Sequence, residues 1–335
     1  MQAAKRFVEK GAQVKILCYD SGPLLDDIID LGIDYSIEES RYRLFNALRK
    51  LVGEEKVVFS NLSSSLIVSI LKLLRFKFRH IHRVCNTVSY ESKQYLGVRK
   101  ILYFFKLYFV ARCSDAMVFQ SESMYVDWME STKYRPKNVF ILANPIKVDG
   151  NFYLQRNRPV VCRCVSVGRL SEQKNYPKLL RMWGPSWANK LTIIGEGHLN
   201  VILEKIVRDR ELENVELIGK RSDLPAYLIS FHIYICPSRF EGVSNAVREA
   251  VVSGLPLITT DSPGCGGELV DKFGCGVMLS SDFTAKQLHD AICEIEGNYD
   301  SYVKKCEAAR IQMLDEVESD FLQFLNFVHN LDVTV

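Results

Sequence analysis

The chain contains 335 residues, and at about 150 residues per domain this length predicts two domains, each large enough to bury its own core. Apolar residues make up 47%, charged residues 25% and aromatic residues 11%, which excludes a disordered, collagenous or coiled-coil chain. We expect no transmembrane helix, because no apolar stretch is long enough to span a bilayer. We also expect no targeting signal, because the opening MQAAKRFVEKG is typical of an amphipathic helix.

The net charge of +3 conceals an excess of positive charge in the first half of the chain. Residues 1–150 hold 23 Lys and Arg against 16 Asp and Glu, whereas the remainder holds 20 against 24. From residue 66 to residue 112 there are ten Lys or Arg and one acid, Glu91, and the cations are interleaved with apolar and aromatic residues in LKLLRFKFRH and VRKILYFFKLYF. This pattern is typical of a surface that lies on an anionic bilayer, with Arg75, Lys77 and Arg79 among the contacting cations. It is equally typical of a buried helix whose cations reach solvent at its rim.

The ten cysteines are scattered, which favours reduced thiols in a cytoplasmic protein. Neither Cys162 with Cys164 nor Cys265 with Cys275 is completed by a second pair of ligands, so we expect no metal site. No nucleic-acid-binding motif is present, so we expect no nucleic-acid partner.

Short apolar or β-branched runs alternate with helical stretches along the whole chain. In order they are QVKILCY, KVVFS, HIHRV, AMVFQ, NVFIL, VCRCVSVG, LTIIG, VELIG, IYICPS, PLITT and GVMLS. This alternation predicts an α/β fold with parallel sheets. The segment NPIKVDGNFYLQRNRP interrupts it, so we expect domains over 1–150 and 151–315, followed by a C-terminal helix over 316–335.

The first candidate motif is SVGRLSEQKNYPKLL, which begins at Ser166. A strand ends at Val167, Gly168 turns the chain, and Arg169 and Lys174 extend from the loop that leads into a helix. Two cations at the carboxyl edge of a parallel sheet suit a diphosphate. The alternative for this motif is a solvated loop.

A second motif, PSRFEGVSNAVREAVVSGLP, contains Glu241 and Glu249 with seven residues between them. Ser244 is positioned to cap a helix whose first amides favour an anion, and a carboxylate accepts hydrogen bonds from sugar hydroxyls. The alternative is a pair of solvated surface glutamates. A third motif, IIGEGHL, places Gly195 directly after a strand, where close backbone approach or an ordinary turn is expected.

Taken in order, GRLSEQKN, IIGEG, VELIGKRSDLPAYL and CPSRFEG…REAVVSGLPLITTD resemble the second domain of the GT4 family of retaining glycosyltransferases. The resemblance covers about 160–275. It is weaker in the first half, at NTVSY, DAMVFQSES and ILANPI. It implies the GT-B fold, in which two Rossmann-like domains face each other across a cleft. PLITTDSPGCGGELV further resembles GT4 transferases that build bacterial surface polysaccharides such as O-antigen and capsule.

The resemblance implies a role for each matched residue. Arg169 and Lys174 would neutralise the leaving diphosphate, Glu241 would face the donor sugar, and Glu249 would accept the ribose hydroxyls. Positive charge at the leaving group would then stabilise an oxocarbenium-like transition state without a metal or cofactor. The implied donor-binding residues are Gly168, Gly195, Gly242, Val243, Ser244, Asn245 and Glu249.

The first domain departs from the family at two points. In RVCNTVSY, Cys85 stands where related chains often carry His, which leaves Asn86 and Thr87 as acceptor-side residues. Related chains open with a strand and a glycine-rich loop, whereas here a helix precedes the first strand, so we expect that strand and loop to be missing.

The expected function is transfer of a hexose or N-acetylhexosamine from a UDP-sugar to a polyprenyl-diphosphate-linked saccharide. The expected location is cytoplasmic, with the enzyme peripheral on the inner face of a bacterial membrane. Two alternatives remain open. One is a catalytically inactive GT-B scaffold or nucleotide-binding protein, and the other is a nucleotide-sugar epimerase.

Overall fold

The computed structural model describes residues 2–18, 25–53, 56–61, 64–146, 159–221 and 223–330. They form two compact units, Met1–Pro145 together with Val317–Val335, and Ile146–Glu316. Most of the junction NPIKVDGNFYLQRNRP falls on residues 147–158, which lie outside the described residues.

The described strands of the first unit form two parallel sheets. They are β1 (Lys15–Cys18), β2 (Asp34–Ile37), β3 (Val57–Ser60), β4 (Arg79–Arg83), β5 (Ala116–Phe119) and β6 (Val139–Ile141). Strand β1 pairs with β2, and the other sheet has the order β3-β4-β5-β6. Strand β2 was not predicted, because Asp34 and Ser36 interrupt its apolar character.

The described residues of the first unit include seven α-helices, two of which begin at a side-chain cap. They are α1 (Gln2–Glu9), α2 (Leu25–Asp30), α3 (Arg41–Leu51), α4 (Ser65–Leu73), α5 (Val88–Glu91), α6 (Val98–Cys113) and α7 (Glu122–Thr132). Before α3 the Ser40 hydroxyl accepts a hydrogen bond from the Arg43 amide, and before α7 Ser121 accepts one from Met124. A short 3-10 turn, Ser92–Gln94, follows α5.

The described strands of the second unit form one parallel sheet. They are β7 (Arg163–Val167), β8 (Lys190–Ile194), β9 (Val215–Ile218), β10 (Ile233–Cys236), β11 (Leu257–Thr260) and β12 (Gly276–Leu279). Their order is β12-β11-β10-β7-β8-β9. The chain therefore builds outward from β7 in one direction and from β10 in the other. The direction of winding reverses between these two neighbouring strands, which is where open α/β sheets bind ligands.

The helices of the second unit cover both faces of this sheet and enclose its core. They are α8 (Tyr176–Met182), α9 (Asn200–Asp209), α10 (Leu224–Leu228), α11 (Asn245–Val252), α12 (Gly267–Phe273), α13 (Ala285–Gly297) and α14 (Tyr299–Asn330). Cys162 and Cys164 lie in one buried cluster and Cys265 and Cys275 in another. All four are free thiols that pack as small apolar side chains.

The end of helix α14 packs in the first unit. The Phe324 ring makes edge-to-face contacts with Phe59 and Phe140, and Arg6 pairs with Glu318. The expected helix over 316–335 is therefore the last part of a helix that already begins at Tyr299, and residues 331–335 lie outside the described residues. No helix in the described ranges is both long enough and apolar enough to cross a membrane.

Candidate active site

The site lies at the carboxyl edge of the second sheet, where β7 and β10 are neighbours. Cys164 pairs with Ile233 and Val165 with Tyr234, in parallel register. Because the two strands run the same way, the loop that follows Val167 and the loop that follows Cys236 leave the sheet at the same edge. These loops carry Lys174 and Glu241, which are distant in sequence.

Glycines let three backbone segments approach closely at this edge. The Gly168 amide donates a hydrogen bond to the Ile194 carbonyl at 3.0 Å, and the Leu170 amide donates to Glu196 at 2.8 Å. A Cβ on Gly195 would overlap with the Gly168 carbonyl oxygen, and the φ of Gly195 is +153°, which residues with a side chain rarely adopt. The close approach expected for Gly195 is therefore what the structure contains.

The Lys174 ammonium and the Glu241 carboxylate form an ion pair. Nζ lies 2.6 Å from Oε1, and the side chains are only 15% and 10% exposed. Gly168 leaves room for the lysine chain, since a Cβ there would lie 2.6 Å from Lys174 Cε. A buried pair is stable only when its remaining hydrogen-bonding capacity is satisfied.

Two residues outside the sequence prediction help to meet that requirement. The Ser238 hydroxyl donates to Glu241 Oε1 at 2.8 Å, and the Gln173 amide donates to Oε2 at 3.3 Å. Gln173 also bonds the Phe240 carbonyl at 3.0 Å, which ties the two loops together. Gln173 lies inside the motif SEQKN and Ser238 inside CPSRFEG, beside residues that were predicted. The position of Gln173 next to Lys174 was the signal that could have identified it.

The other predicted cation, Arg169, occupies a different environment. It is exposed, one residue after Gly168, on the same loop that carries the buried Lys174. The structure therefore joins Lys174 to Glu241 and leaves Arg169 at the protein surface.

The start of helix α11 is supported from behind by residues 263–264. The Glu241 amide donates to the Pro263 carbonyl at 2.8 Å, and the Ser244 amide donates to Gly264 at 3.3 Å. A Cβ on Gly264 would lie 2.5 Å from the carbonyl oxygens of Glu241 and Gly242, so only glycine fits at this position. Gly242 and Val243 are half-buried in this loop, and Asn245 is the exposed first residue of α11.

Ser244 occupies the N-cap position of α11, but the expected cap bond is not formed. Its hydroxyl makes no side-chain cap hydrogen bond and is buried without a hydrogen-bond partner. Its backbone amide bonds the Gly264 carbonyl instead. An unsatisfied buried hydroxyl at a helix N-terminus can serve a ligand.

Glu249 lies within helix α11, five residues after the N-cap, and is half-buried. Its neighbour Arg248 is buried, and burial lowers the pKa of that guanidinium to about 10, against the opposing charges of Glu268, Glu249 and Glu316. Glu249 thus lies in a mixed-charge environment and not on an open, solvated face.

The acceptor-side candidates belong to the first unit, just beyond the end of β4. Asn86 is exposed, whereas Thr87 is buried and precedes α5. Cys85 is exposed at the surface, yet partial desolvation by its neighbours raises its pKa, which disfavours the thiolate. Within the described ranges there is no cluster of three or more His, Cys, Asp or Glu that could hold a metal ion.

Comparison with solved structures defines the class of fold. The chain superimposes on the crystal structure of Anabaena HepE in complex with UDP and glucose with a TM-score of 0.79 at 13% identity, covering 98% of this chain and 94% of that one. The predicted α/β GT-B fold, with two Rossmann-like units, is confirmed. Residues 162–298 match the family described as "Glycosyl transferases group 1", which confirms the GT4 resemblance of the motifs.

Curated relatives extend this similarity into the first unit. An uncharacterised glycosyltransferase of Haemophilus influenzae is 27% identical over 69% of this chain, and the match spans 65% of its own length, less than two thirds. The amylovoran biosynthesis glycosyltransferase AmsD of Erwinia amylovora is 28% identical over 73% of this chain and 71% of its length. The Escherichia coli UDP-Gal:alpha-D-GlcNAc-diphosphoundecaprenol alpha-1,3-galactosyltransferase is 25% identical over 75% and 72%.

Proposed function

We propose that this protein is a retaining glycosyltransferase that moves a hexose or N-acetylhexosamine from a UDP-sugar to a lipid-linked saccharide in surface polysaccharide biosynthesis. The observation that carries the proposal is the buried Lys174–Glu241 pair at the point where the sheet of a group 1 domain reverses its winding. Such an edge is where nucleotides bind in open α/β sheets.

Lys174 supplies the main positive charge for the leaving diphosphate. Its ammonium is already fixed by Glu241, so little reorganisation is needed when negative charge develops on the leaving oxygen. Arg169 is exposed on the same loop and adds a planar fork that suits a phosphate. These two cations and the amides at the start of α11 would perform the task that a metal performs in other transferases.

Glu241 has a second task besides facing the sugar. Its Oε1 accepts hydrogen bonds from Lys174 and Ser238, and its Oε2 accepts one from Gln173. We assign it primarily to holding Lys174. Glu249 would accept the ribose hydroxyls, and the unpartnered Ser244 hydroxyl would contact the phosphate or sugar.

The donor and acceptor classes are supported by similar proteins. The structure of HepE was solved with UDP and glucose, and the E. coli relative is named for UDP-Gal and a diphosphoundecaprenol acceptor. On this basis the first unit, with Asn86 and Thr87, takes a polyprenyl-diphosphate-linked saccharide. The enzyme would then act as a peripheral protein on the cytoplasmic face of an anionic membrane.

The test is an assay of UDP release from a panel of UDP-hexoses and UDP-N-acetylhexosamines, with and without undecaprenyl-diphosphate-linked saccharide. We expect release from one sugar that requires acceptor and persists in EDTA, and a product whose anomeric configuration by NMR matches the donor. UDP binding without transfer from any donor would favour the inactive GT-B scaffold. Conversion of a UDP-sugar without acceptor into its epimer would favour the epimerase.

A further inference from the structure

Helix α6 is apolar on two opposite faces. The buried face is formed by Tyr103, Leu107, Val110 and Ala111. The opposite face, called the α6 outer face below, is formed by Val98, Ile101, Leu102, Phe105 and Tyr108. At about 100° of rotation per residue the centres of these two sets lie on opposite sides of the helix axis. A helix with apolar side chains on both faces ordinarily buries both of them.

The α6 outer face is nevertheless exposed. Ile101 is 69% exposed, Leu102 60% and Phe105 66%. Lys100, Ile101, Phe105 and Tyr108 also line a shallow groove on the surface of the unit. By contrast, helix α13 buries its Leu288 and Ile292 completely in the second unit. A contiguous exposed apolar patch of this kind marks an interaction surface.

The charged residues of helix α6 are all positive. Arg99, Lys100 and Arg112 are exposed, and Arg112 follows Phe105 by seven residues, which places it on the same side of the helix two turns later. No Asp or Glu occurs between Glu91 and Asp115. Glu91 itself is half-buried, where it interacts with Lys106. The cations of α6 therefore have no acidic neighbour on the same helix.

We propose that the α6 outer face inserts into the interface of an anionic lipid bilayer. Aromatic and branched apolar side chains enter the boundary between head groups and acyl chains, while Arg99, Lys100 and Arg112 stay at the lipid phosphates. These cations are what select a bilayer over an apolar protein partner. The inference rests on the proposed function, because membrane contact would give access to a lipid-linked acceptor. Its structural evidence comes from α6 alone.

This placement differs from the one that the cation pattern suggested. Arg75 and Lys77 are exposed after the end of α4, but Arg79 lies half-buried within β4. Leu73 and Leu74 are also exposed at the end of α4, and α4 packs against α6. The end of α4 is a smaller additional contact with the bilayer, because it exposes fewer large apolar residues than α6 does.

The test is co-sedimentation of the full chain with vesicles of phosphatidylcholine, with and without phosphatidylglycerol. We expect binding to the anionic vesicles and a loss of partitioning of about tenfold or more in the double variant Ile101→Ser/Leu102→Ser. The matched control is Val201→Ser/Ile202→Ser on α9, where two adjacent apolar residues are similarly exposed, and it should bind like wild type. Equal binding of the two double variants would overturn the proposal.

A second pair of variants tests the charge contribution. Arg99→Glu/Lys100→Glu should abolish the preference for anionic vesicles, whereas Lys205→Glu/Arg208→Glu on α9 should retain it. Failure of wild type to bind vesicles also overturns the proposal. So does a wild-type dimer that Ile101→Ser/Leu102→Ser converts to a monomer, because a second copy would then cover this face.

The outcome is separable from that of the proposed function. Transfer to a water-soluble, short-chain acceptor needs no membrane, so it should be equal in wild type and Ile101→Ser/Leu102→Ser. Soluble transfer without vesicle binding would refute the inference alone. Vesicle binding without transfer to either acceptor would refute the proposed function alone.

Discussion

Two regions of the molecule differ in opposite ways from an ordinary protein surface. They are the loop 168–175 of the second unit, which carries Lys174, and helix α6 of the first unit. In the loop, the Lys174 ammonium is almost buried and pairs with Glu241 of a neighbouring loop, whose carboxylate also accepts hydrogen bonds from Ser238 and Gln173. In the helix, large apolar side chains face solvent. Buried charge and exposed apolar surface are the two observations that carry functional information, because each costs stability unless a ligand or partner uses it. Under the two proposals, the second unit would handle the diphosphate and the first would contact lipid.

Removing the buried cation should have the largest effect. Lys174→Ala should lower kcat by about 10²–10³-fold, because the leaving diphosphate loses a preorganised positive charge. The measurement is steady-state UDP release with saturating donor. Lys178→Ala, on α8 just beyond the loop, is the matched control and should retain activity, since its ammonium pairs with Asp282 away from Glu241. Similar rates for the two variants would show that Lys174 contributes no more to transfer than Lys178 does.

The next largest effect should come from the close backbone packing of Gly195 against Gly168. Gly195→Ala should lower the free energy of unfolding by about 3 kcal/mol, because the added Cβ would overlap with the Gly168 carbonyl. Urea denaturation followed by tryptophan fluorescence measures it. Gly297→Ala, where the added Cβ meets nothing within 4 Å, should be nearly neutral. A neutral Gly195→Ala would show that the loop is not packed against residue 195.

The first unit buries titratable groups in a different way, as neutral histidines. Burial lowers the pKa of both His80 and His82 from 6.5 to about 3, with Lys72 and Lys106 opposing protonation as well. Below pH 6.5 the unfolded chain therefore binds protons that the folded chain does not, so stability should fall as the pH drops from about 6.5 towards 3.

Each buried histidine should contribute about 1.4 kcal/mol per pH unit within that window. Urea titrations at successive pH values should show a shallower slope for His80→Asn/His82→Asn than for wild type. His198→Asn is the matched control, because it removes a histidine that is exposed. A double variant with the wild-type slope would contradict neutral burial.

The smallest expected effect concerns the support of the ion pair. Gln173→Ala should lower kcat about fivefold, because Glu241 loses one hydrogen bond of about 1 kcal/mol and still keeps Ser238 and Lys174. KM for the donor should change less than kcat if Gln173 acts by positioning Lys174. Glu172→Gln is the control, because Glu172 is exposed and lies in the same short 3-10 turn, Glu172–Lys174. A variant with unchanged kcat would leave Gln173 with a purely structural role.

Local sequence patterns were sufficient for most of the fold, but not for contacts between distant loops. Every predicted apolar run is found as a strand, because β-branched runs bounded by turn residues are local signals. Strand β2 lacks that signal. The pairing of Lys174 with Glu241 depends on β7 lying beside β10, and sheet order is not encoded in any single segment.

The orientation of α6 could not be predicted from the sequence either. Its sequence reveals apolar residues and cations, but both faces are apolar, so periodicity does not tell which one packs inward. Ser238 and Gln173 were missed for a related reason, since an uncharged side chain gains its role only from the charged groups beside it. In both cases tertiary packing, and not local preference, decides the outcome.

A calorimetric titration of UDP into the full chain tests the central claim most directly, because it measures whether the second unit holds a nucleoside diphosphate. Wild type should bind UDP, Lys174→Ala should raise the Kd at least about tenfold, and Lys178→Ala should bind like wild type. Equal Kd values for wild type and Lys174→Ala, or no binding by wild type, would contradict the account.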